Sequence, residues 1–299
     1  MMRPRGFLAR AAAAIAWVAL LATGCAHSPP GTTGAHRPGE RSGPFADSVT
    51  AALWRLDETG GQRVADAGPF RLEGSAGIDT RTDFGRIRGA RVFSRSIDSF
   101  VFVPFNPVLE SARGLTVEAW IYLNAYGQYE DTPIAVRWTE RGDEQSWMFS
   151  VLGLNTLPPF AALAGPGYHQ AFIQQGQRGQ LMFVFQPEEA GPPRAFLSSV
   201  AIPLEKWTHV AATFDGGLVR FYIDGLLDSQ FATVGAIRST KAALLMGNYF
   251  DPRWLSDFGG DLRVAPGYDA NPYYAFEGLI DELRISNVAR AEFESARWR

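Results

Sequence analysis

The sequence predicts an all-β domain of antiparallel strands, a sandwich or a barrel, carried behind an export signal and a polar tether. Three observations predict it. From Ala46 onward, short runs such as LTVEAWIYL, WTHVAATF and LVRFYID alternate apolar and polar residues, the mark of a strand with one buried face. Gly, Pro, Asp and Asn punctuate the runs, as at Asp215-Gly216-Gly217 and Asp224-Gly225 inside the segment Trp207 to Gly225; these residues favour turns. A sustained helical period is nearly missing, and only the stretch near Pro107 to Arg113 and the C-terminal ARAEFESARWR suit a turn or two.

The N-terminus stands apart from the domain. Arg3, Arg5 and Arg10 precede an apolar run, Ala11 to Ala22, which fits a secretory signal and is too short to span a bilayer. Residues 1–24 are assigned to that signal. The run closes on Leu21-Ala22-Thr23-Gly24-Cys25 around the only cysteine of the chain. This stretch resembles a bacterial lipoprotein lipobox, with Ala22 at the position where Leu is usual. The resemblance implies cleavage before Cys25 and acylation of its thiol, and several acyl chains anchor stably where one is marginal. The alternative is an ordinary cleavage site followed by a free thiol. Ala26 after the cysteine, rather than Asp, points by the same analogy to an outer membrane or cell surface. Residues 25–46, rich in Pro, Gly, Ser and Thr, lack the apolar residues a core needs and are expected to be a disordered tether.

Residues 47–299 form the domain. With 299 residues, a formal net charge of -3 and 46% hydrophobic residues, the chain can bury a large core. Its Lys and Arg are scattered, so no basic footprint for nucleic acid exists. No linker or fixed-period repeat divides the domain.

Four pieces taken together, VADAGPFRLEG after LWRLDE, LTVEAWIYL, WTHVAATFDGGLVRFYIDG and FEGLIDELRISNVARAEFE, resemble the laminin-G-like, concanavalin A-like jelly-roll domains of bacteria. They follow the family's order and span nearly all of the chain from Ala51. The resemblance implies a two-sheet antiparallel β-sandwich. It implies less about function, because lectins, adhesins, enzyme modules and hydrolases share this scaffold.

Alternation sorts the strands into faces. In LTVEAWIYL, Leu115, Val117, Ala119, Ile121 and Leu123 form the apolar set, against Thr116, Glu118, Trp120 and Tyr122. In the hairpin, Trp207, His209, Ala211 and Thr213 oppose the apolar set, as do Arg220 and Tyr222. Aromatic rings beside polar groups suit a half-open sugar-binding face: rings for the C–H faces of a saccharide, donors and acceptors for its hydroxyls. Glu118, Trp120, Tyr122, His209, Arg220 and Tyr222 are therefore candidate ligand-binding residues. The alternative is structural, with the rings under a long loop and the charges paired among themselves.

In LIDELRIS, Asp281 alternates with Leu279, Leu283 and Ile285 and is expected on the packed side, where a carboxylate needs hydrogen bonds, a cation or a metal. First and last strands of a jelly roll are commonly neighbours, which would bring Asp57 or Asp66 near Asp281, and relatives often hold calcium in rim loops; one structural Ca²⁺ is therefore expected, with Asp66 and Asp281 as candidate ligands, Ca²⁺ taking six to eight oxygens. The alternative is an aspartate that caps backbone amides of a neighbouring loop.

The stretch Asn248 to Phe276 interleaves Asp251, Asp257, Asp261 and Asp269 with Trp254, Tyr268, Tyr273 and Tyr274. A loop this long with so many aromatics is expected to be an ordered flap that builds a ligand site or covers apolar surface, and Trp254 and Asp257 join the candidate residues. The carboxylates lack EF-hand spacing. A second insertion, GLNTLPPFAALAGPGYHQAFIQQGQRGQ, is a candidate rim loop.

Catalytic patterns are not found. The Glu-x-Asp-x-(x)-Glu run with which retaining glycosidases of this sandwich space their carboxylates is missing, and the four His have no zinc spacing. No phosphate loop or Gly-x-Ser-x-Gly elbow occurs. The sequence thus predicts an exported, lipid-anchored, non-catalytic domain that binds a polysaccharide or other glycan. The alternatives are an envelope protein partner or, further off, a glycan-active enzyme.

Overall fold

The computed structural model describes residues 43–127, 131–139, 143–153, 176–268 and 274–297. The signal segment, Cys25, the tether as far as residue 42 and most of the second insertion lie outside the described residues. In chain order the strands are β1 (Thr50–Trp54), β2 (Arg63–Val64), β3 (Gly74–Ala76), β4 (Arg81–Phe84), β5 (Gly89–Phe93), β6 (Val101–Val103), β7 (Leu115–Leu123), β8 (Asp131–Trp138) and β9 (Gln145–Leu152). They continue as β10 (Gln180–Phe185), β11 (Arg194–Ala201), β12 (Trp207–Phe214), β13 (Leu218–Ile223), β14 (Leu226–Ala232), β15 (Leu244–Met246), β16 (Leu255–Asp257), β17 (Leu262–Val264) and β18 (Gly278–Ser286). The described helical structure consists of short 3₁₀ turns at Pro107–Leu109, Pro252–Trp254 and Glu294–Arg297.

Two sheets carry the fold, each of eight described strands. One runs β14-β13-β12-β7-β18-β5-β4, with β1 also on β18, and the other β11-β10-β9-β8-β15-β6-β3-β2. The pairings are antiparallel, and the first and last strands are neighbours. This is the jelly-roll sandwich expected from the sequence.

Local chemistry sets the turns. Asp215 Oδ1 accepts from Gly217 N at 2.9 Å and Leu218 N at 2.7 Å, which reverses the chain between β12 and β13. Asp224 and Gly225, both at positive φ (50° and 76°), join β13 to β14 as the two-residue turn that matches strand twist. The apolar sets of both sheets meet in one core that includes Trp54, Val117, Ile121, Phe149, Phe183, Phe185, Phe214, Phe221 and Ile280. Burying each such side chain contributes about 1.5–3 kcal/mol, and with no disulfide available to a chain holding one cysteine, burial carries the stability.

One irregularity decides which residues face out. In β18, Asp281 lies opposite Trp120 and Arg284 opposite Glu118. Two residues, Glu282 and Leu283, therefore oppose Ala119 alone. Glu282 absorbs the extra length in the left-handed region (φ 51°), forming a β-bulge that shifts side-chain parity. Ile280, Leu283 and Ile285 join the core, while Asp281 shares the outer face with Trp120. The expectation that Asp281 alternates with Leu283 and Ile285 into the packed side is corrected by this bulge.

Both outer faces are covered by the chain itself. The C-terminal segment after β18 crosses the first sheet: Thr116 Oγ1 donates to Val288 O (2.6 Å), Arg290 Nε to Ser286 Oγ (2.8 Å), and Phe293 packs on Tyr222 at 4.8 Å between ring centroids. On the second sheet a separate apolar cluster, with Phe100, Val136, Met148 and Leu245, packs against Phe250, Val264, Leu255 and Tyr268 of the flap. Residues 42–299 form one compact unit that contains both sheets and their core.

Candidate ligand-binding site

Strands β7, β12 and β18 place Glu118, His209 and Arg284 together at the centre of the first sheet. Arg284 Nε donates to Glu118 Oε1 at 2.7 Å, and His209 Nε2 stands 3.1 Å from Glu118 Oε2. Burial opposes ionisation of Glu118, but the His209 hydrogen bond and the Arg284 charge outweigh it, and the carboxyl is held below its ordinary value. Arg284 also reaches Glu294 of the C-terminal segment (3.0 Å) and Phe45 O (2.9 Å).

The half-open face expected here is therefore corrected. Glu118, Trp120, His209 and Tyr222 are each 5% exposed or less, because Phe293 lies on Tyr222 and His209 and Arg86 lies 4.9 Å over the Trp120 ring. Tyr122 and Arg220 are half-buried; Tyr122 packs on Trp207, and Arg220 pairs with Asp215 at 2.8 Å. These six residues share the face the alternation predicted, and four of them, Glu118, Trp120, His209 and Tyr222, are buried there. The covering residues were hidden from the sequence, since nothing local tells which face a C-terminal turn will lie on.

The aspartates proposed for calcium do different work. Asp66 Oδ1 accepts from Leu53 N (2.8 Å) and Gly68 N (2.6 Å), and Oδ2 from Leu72 N (2.7 Å). With three amide donors on it, Asp66 caps the backbone of β1 and of the loop that follows β2. Asp281 Oδ2 accepts from Ile87 N at 2.8 Å, and its Oδ1 is buried without a partner. Burial, with Glu282 and Asp57 nearby, raises its carboxyl well above the ordinary value, which favours the neutral form. Among the described residues no group of three or more His, Cys, Asp or Glu is arranged to hold a metal ion.

The flap presents the exposed alternative. Asp251 caps the turn Pro252–Trp254 by accepting from Arg253 N at 3.1 Å, with Pro at the first position of the turn, where its missing N–H costs nothing. Asp251 also binds the Arg253 guanidinium through two bonds, 2.8 and 2.5 Å. Trp254 N donates to Asp251 O (3.0 Å), and Trp254 O accepts from Ala265 N (2.7 Å). Its ring lies 5.3 Å from that of Tyr268, tilted by 32°, and the Tyr268 hydroxyl accepts from Asp251 N at 3.0 Å.

Trp254 is nevertheless 41% exposed. An exposed ring fixed on both backbone sides is a preorganised contact, since little freedom remains to be lost on binding. Asp257 is exposed at the end of β16 and accepts from Gly260 N at 2.6 Å, closing the β16–β17 hairpin. Beneath, Asn248 Nδ2 donates to Ser96 O and Ser99 O, and Val264 N to Asp98 Oδ1. Of the residues chosen from sequence, Trp254 and Asp257 share the flap. Tyr268, Asp251 and Arg253 complete it; the Asp-Pro pair was their visible signal, as a capped turn.

The sequence profile Laminin_G_3, of the concanavalin A-like lectin/glucanases superfamily, matches residues 95–294. The chain belongs to that superfamily. No curated protein matches it. Among solved structures, this superfamily member is similar to the binding domain of Paraclostridial Mosquitocidal Protein 1 (TM-score 0.55, 13% identity, 84% of this chain and 51% of that one). It is similar to domain 4 of AbnA, an extracellular arabinanase from Geobacillus stearothermophilus, in complex with arabinotriose (TM-score 0.51, 20% identity, 83% and 95%). It is also similar to the binding domain of botulinum neurotoxin serotype G (TM-score 0.54, 10% identity, 83% and 50%). The chain spans about half the length of the toxin binding domains and nearly all of the arabinanase domain. At such identities these likenesses concern the fold.

Proposed function

We propose that this protein is a non-catalytic, lectin-like module that binds a carbohydrate through its flap, displayed outside the cytoplasm by a lipid on Cys25. The observation that carries the binding reading is the exposed Trp254 ring, packed on the half-buried Tyr268 and held beside Asp251 and Arg253, with the exposed Asp257 farther along the same hairpin. Such a surface offers a ring face to sugar C–H groups and charged acceptors and donors to hydroxyls. The arabinanase domain solved with arabinotriose supports the same ligand class on this scaffold. A non-catalytic role is supported by the burial of Asp281 and Glu282, carboxylates that share a neighbourhood with Asp57 but are closed to a substrate.

The test is binding of residues 42–299 to an array of bacterial and environmental polysaccharides, with calcium and with EDTA. Selective binding that Trp254→Ala removes and Trp120→Ala in folded protein leaves intact supports the flap. Binding to no glycan overturns the carbohydrate reading. Radiolabelled palmitate incorporation that depends on Cys25 tests the anchor separately.

A further inference from the structure

We propose that the turn between β4 and β5, Phe84 to Arg88, is a membrane-contact site that seats the domain on an anionic lipid surface. The turn is rigid. Phe84 ends β4 opposite Gly89 of β5, and Gly85 N donates to Arg88 O at 2.8 Å, with Arg88 in the left-handed region (φ 65°). Ile87 points inward, and its N donates to the buried Asp281 Oδ2 at 2.8 Å. That bond fastens the turn to β18, and a Cβ on Gly85 would meet the same carboxylate. Phe84, by contrast, is 88% exposed, the most open of the large apolar side chains described. Core packing does not account for its place.

A single exposed phenylalanine is ordinary; the charges beside this one name its partner. Arg81, Arg86 and Arg88 are exposed on the same hairpin, against one carboxylate, Asp83. Arg86 lies over Trp120, whereas Arg81 and Arg88 form no ion pair among the described residues. Exposed arginines elsewhere are matched: Arg63 with Glu73, Arg253 with Asp251 and Arg263 with Asp261. On a chain of net charge -3 the turn is thus a local reversal of sign. A ring set among guanidinium groups suits the headgroup zone of an anionic bilayer, where the ring enters the interface and the arginines meet phosphate.

The course of the chain leads to the same place. A Cβ on Gly43 would touch Glu282 and Arg55, and Arg55 donates to Glu282 Oε1 at 3.0 Å and to Pro44 O at 3.4 Å. Glu282 follows Asp281, which holds the turn, so residues 43–44 enter the domain one bulge away from it. Phe45, next in line, is 53% exposed. Cys25 lies 18 residues before Gly43, a span of at most about 65 Å. With the lipid on Cys25 proposed above, the turn is kept at high effective concentration over the bilayer, and a modest affinity holds it down. Only this last step rests on that reading; the affinity of the turn for lipid does not.

Flotation of residues 42–299 with phosphatidylcholine vesicles, with and without phosphatidylglycerol, tests the proposal. The expected result is binding to the phosphatidylglycerol vesicles that is lost in Phe84→Ser and weakened about fivefold by Arg81→Gln and by Arg88→Gln, each variant melting as the native domain does. Phe70→Ser, which removes a ring 52% exposed on another loop, is expected to bind as the native domain does. Flotation with neither vesicle overturns the proposal, even where palmitate is found on Cys25. Equal binding to both vesicles, or equal loss in Phe70→Ser, shows unspecific apolar adhesion and overturns it as well.

Discussion

Arg284 Nε meets Glu118 Oε1 at 2.7 Å across neighbouring positions of β18 and β7, with both side chains 1% exposed. A buried pair of this kind is costly to break from one side, because the partner left behind is a charge without water. Glu118→Leu is expected to destabilise the domain by about 3 kcal/mol or more. Glu118→Leu with Arg284→Met is expected to recover much of that loss. Urea unfolding of the two singles and the double gives the coupling directly, and additive losses would contradict it.

The bulge residue Glu282 makes stability depend on pH. Burial pushes its carboxyl up to about 7, against the lowering effect of Arg55, with Asp57 raising it and Arg88 opposing. Across the window from the ordinary value of 4.5 to about 7, the folded protein holds a proton that the unfolded chain has released. Stability therefore falls as pH rises through that window. Asp281, also raised, acts in the same direction. Melting temperatures between about pH 5 and pH 8 are expected to decline for the native chain and to decline less for Glu282→Gln.

Trp254 and Trp120 are expected to separate binding from stability. Removing the exposed Trp254 ring is expected to weaken glycan binding by about tenfold or more, roughly 1.4 kcal/mol, with little change in melting. Trp120→Ala empties a buried site and is expected to cost about 3–5 kcal/mol while the folded fraction binds normally. Calorimetric titration and thermal melts of both variants check the pair.

Asp66→Ala strands three buried amide donors, those of Leu53, Gly68 and Leu72. Each unsatisfied group costs about 1–3 kcal/mol, so the variant is expected to be strongly destabilised with or without calcium. EDTA is expected to leave the melting temperature of the native domain unchanged; a large downward shift would restore a metal at this end of the sandwich.

Gly247 connects β15 to the flap at φ 73°, and a Cβ there would strike the Phe93 ring. Gly247→Ala is expected to cost more than 1 kcal/mol, read as a lower urea midpoint.

The strands and their inner faces were legible because alternation is a property of the chain itself: Val117, Ile121, Phe214 and Phe221 face inward as the period of two requires. The outer faces were not. Polar and aromatic residues opposite the core read as open to solvent, yet Phe293 and Arg86, both remote in sequence from Trp120 and His209, close over them. Cross-strand partners such as Glu118 and Arg284 depend on register, which no single run encodes. The side taken by Asp281 depended on the left-handed Glu282, an acidic residue in a conformation usually left to glycine. The flap was legible as an ordered aromatic loop, whereas the tilted contact of Trp254 with Tyr268 was not, since it needs the β16–β17 hairpin to bring them together.

The hairpin tip offers a last consequence. Residues 257–261 project from a base pinned by Asn248, Asp98 and Gln62; a side chain at Gly259 or Gly260 would meet nothing within 4 Å, but both hold a positive φ (72° and 97°) that favours glycine, so the two glycines set the turn and the space around them is open. The tip is thus an open cassette on a fixed mount. Residues inserted there with both glycines kept would stand at the end of the hairpin away from Trp254, whose backbone closes the other end against Ala265, so the tip is where a further contact could be engineered, or could arise, independently of the fold.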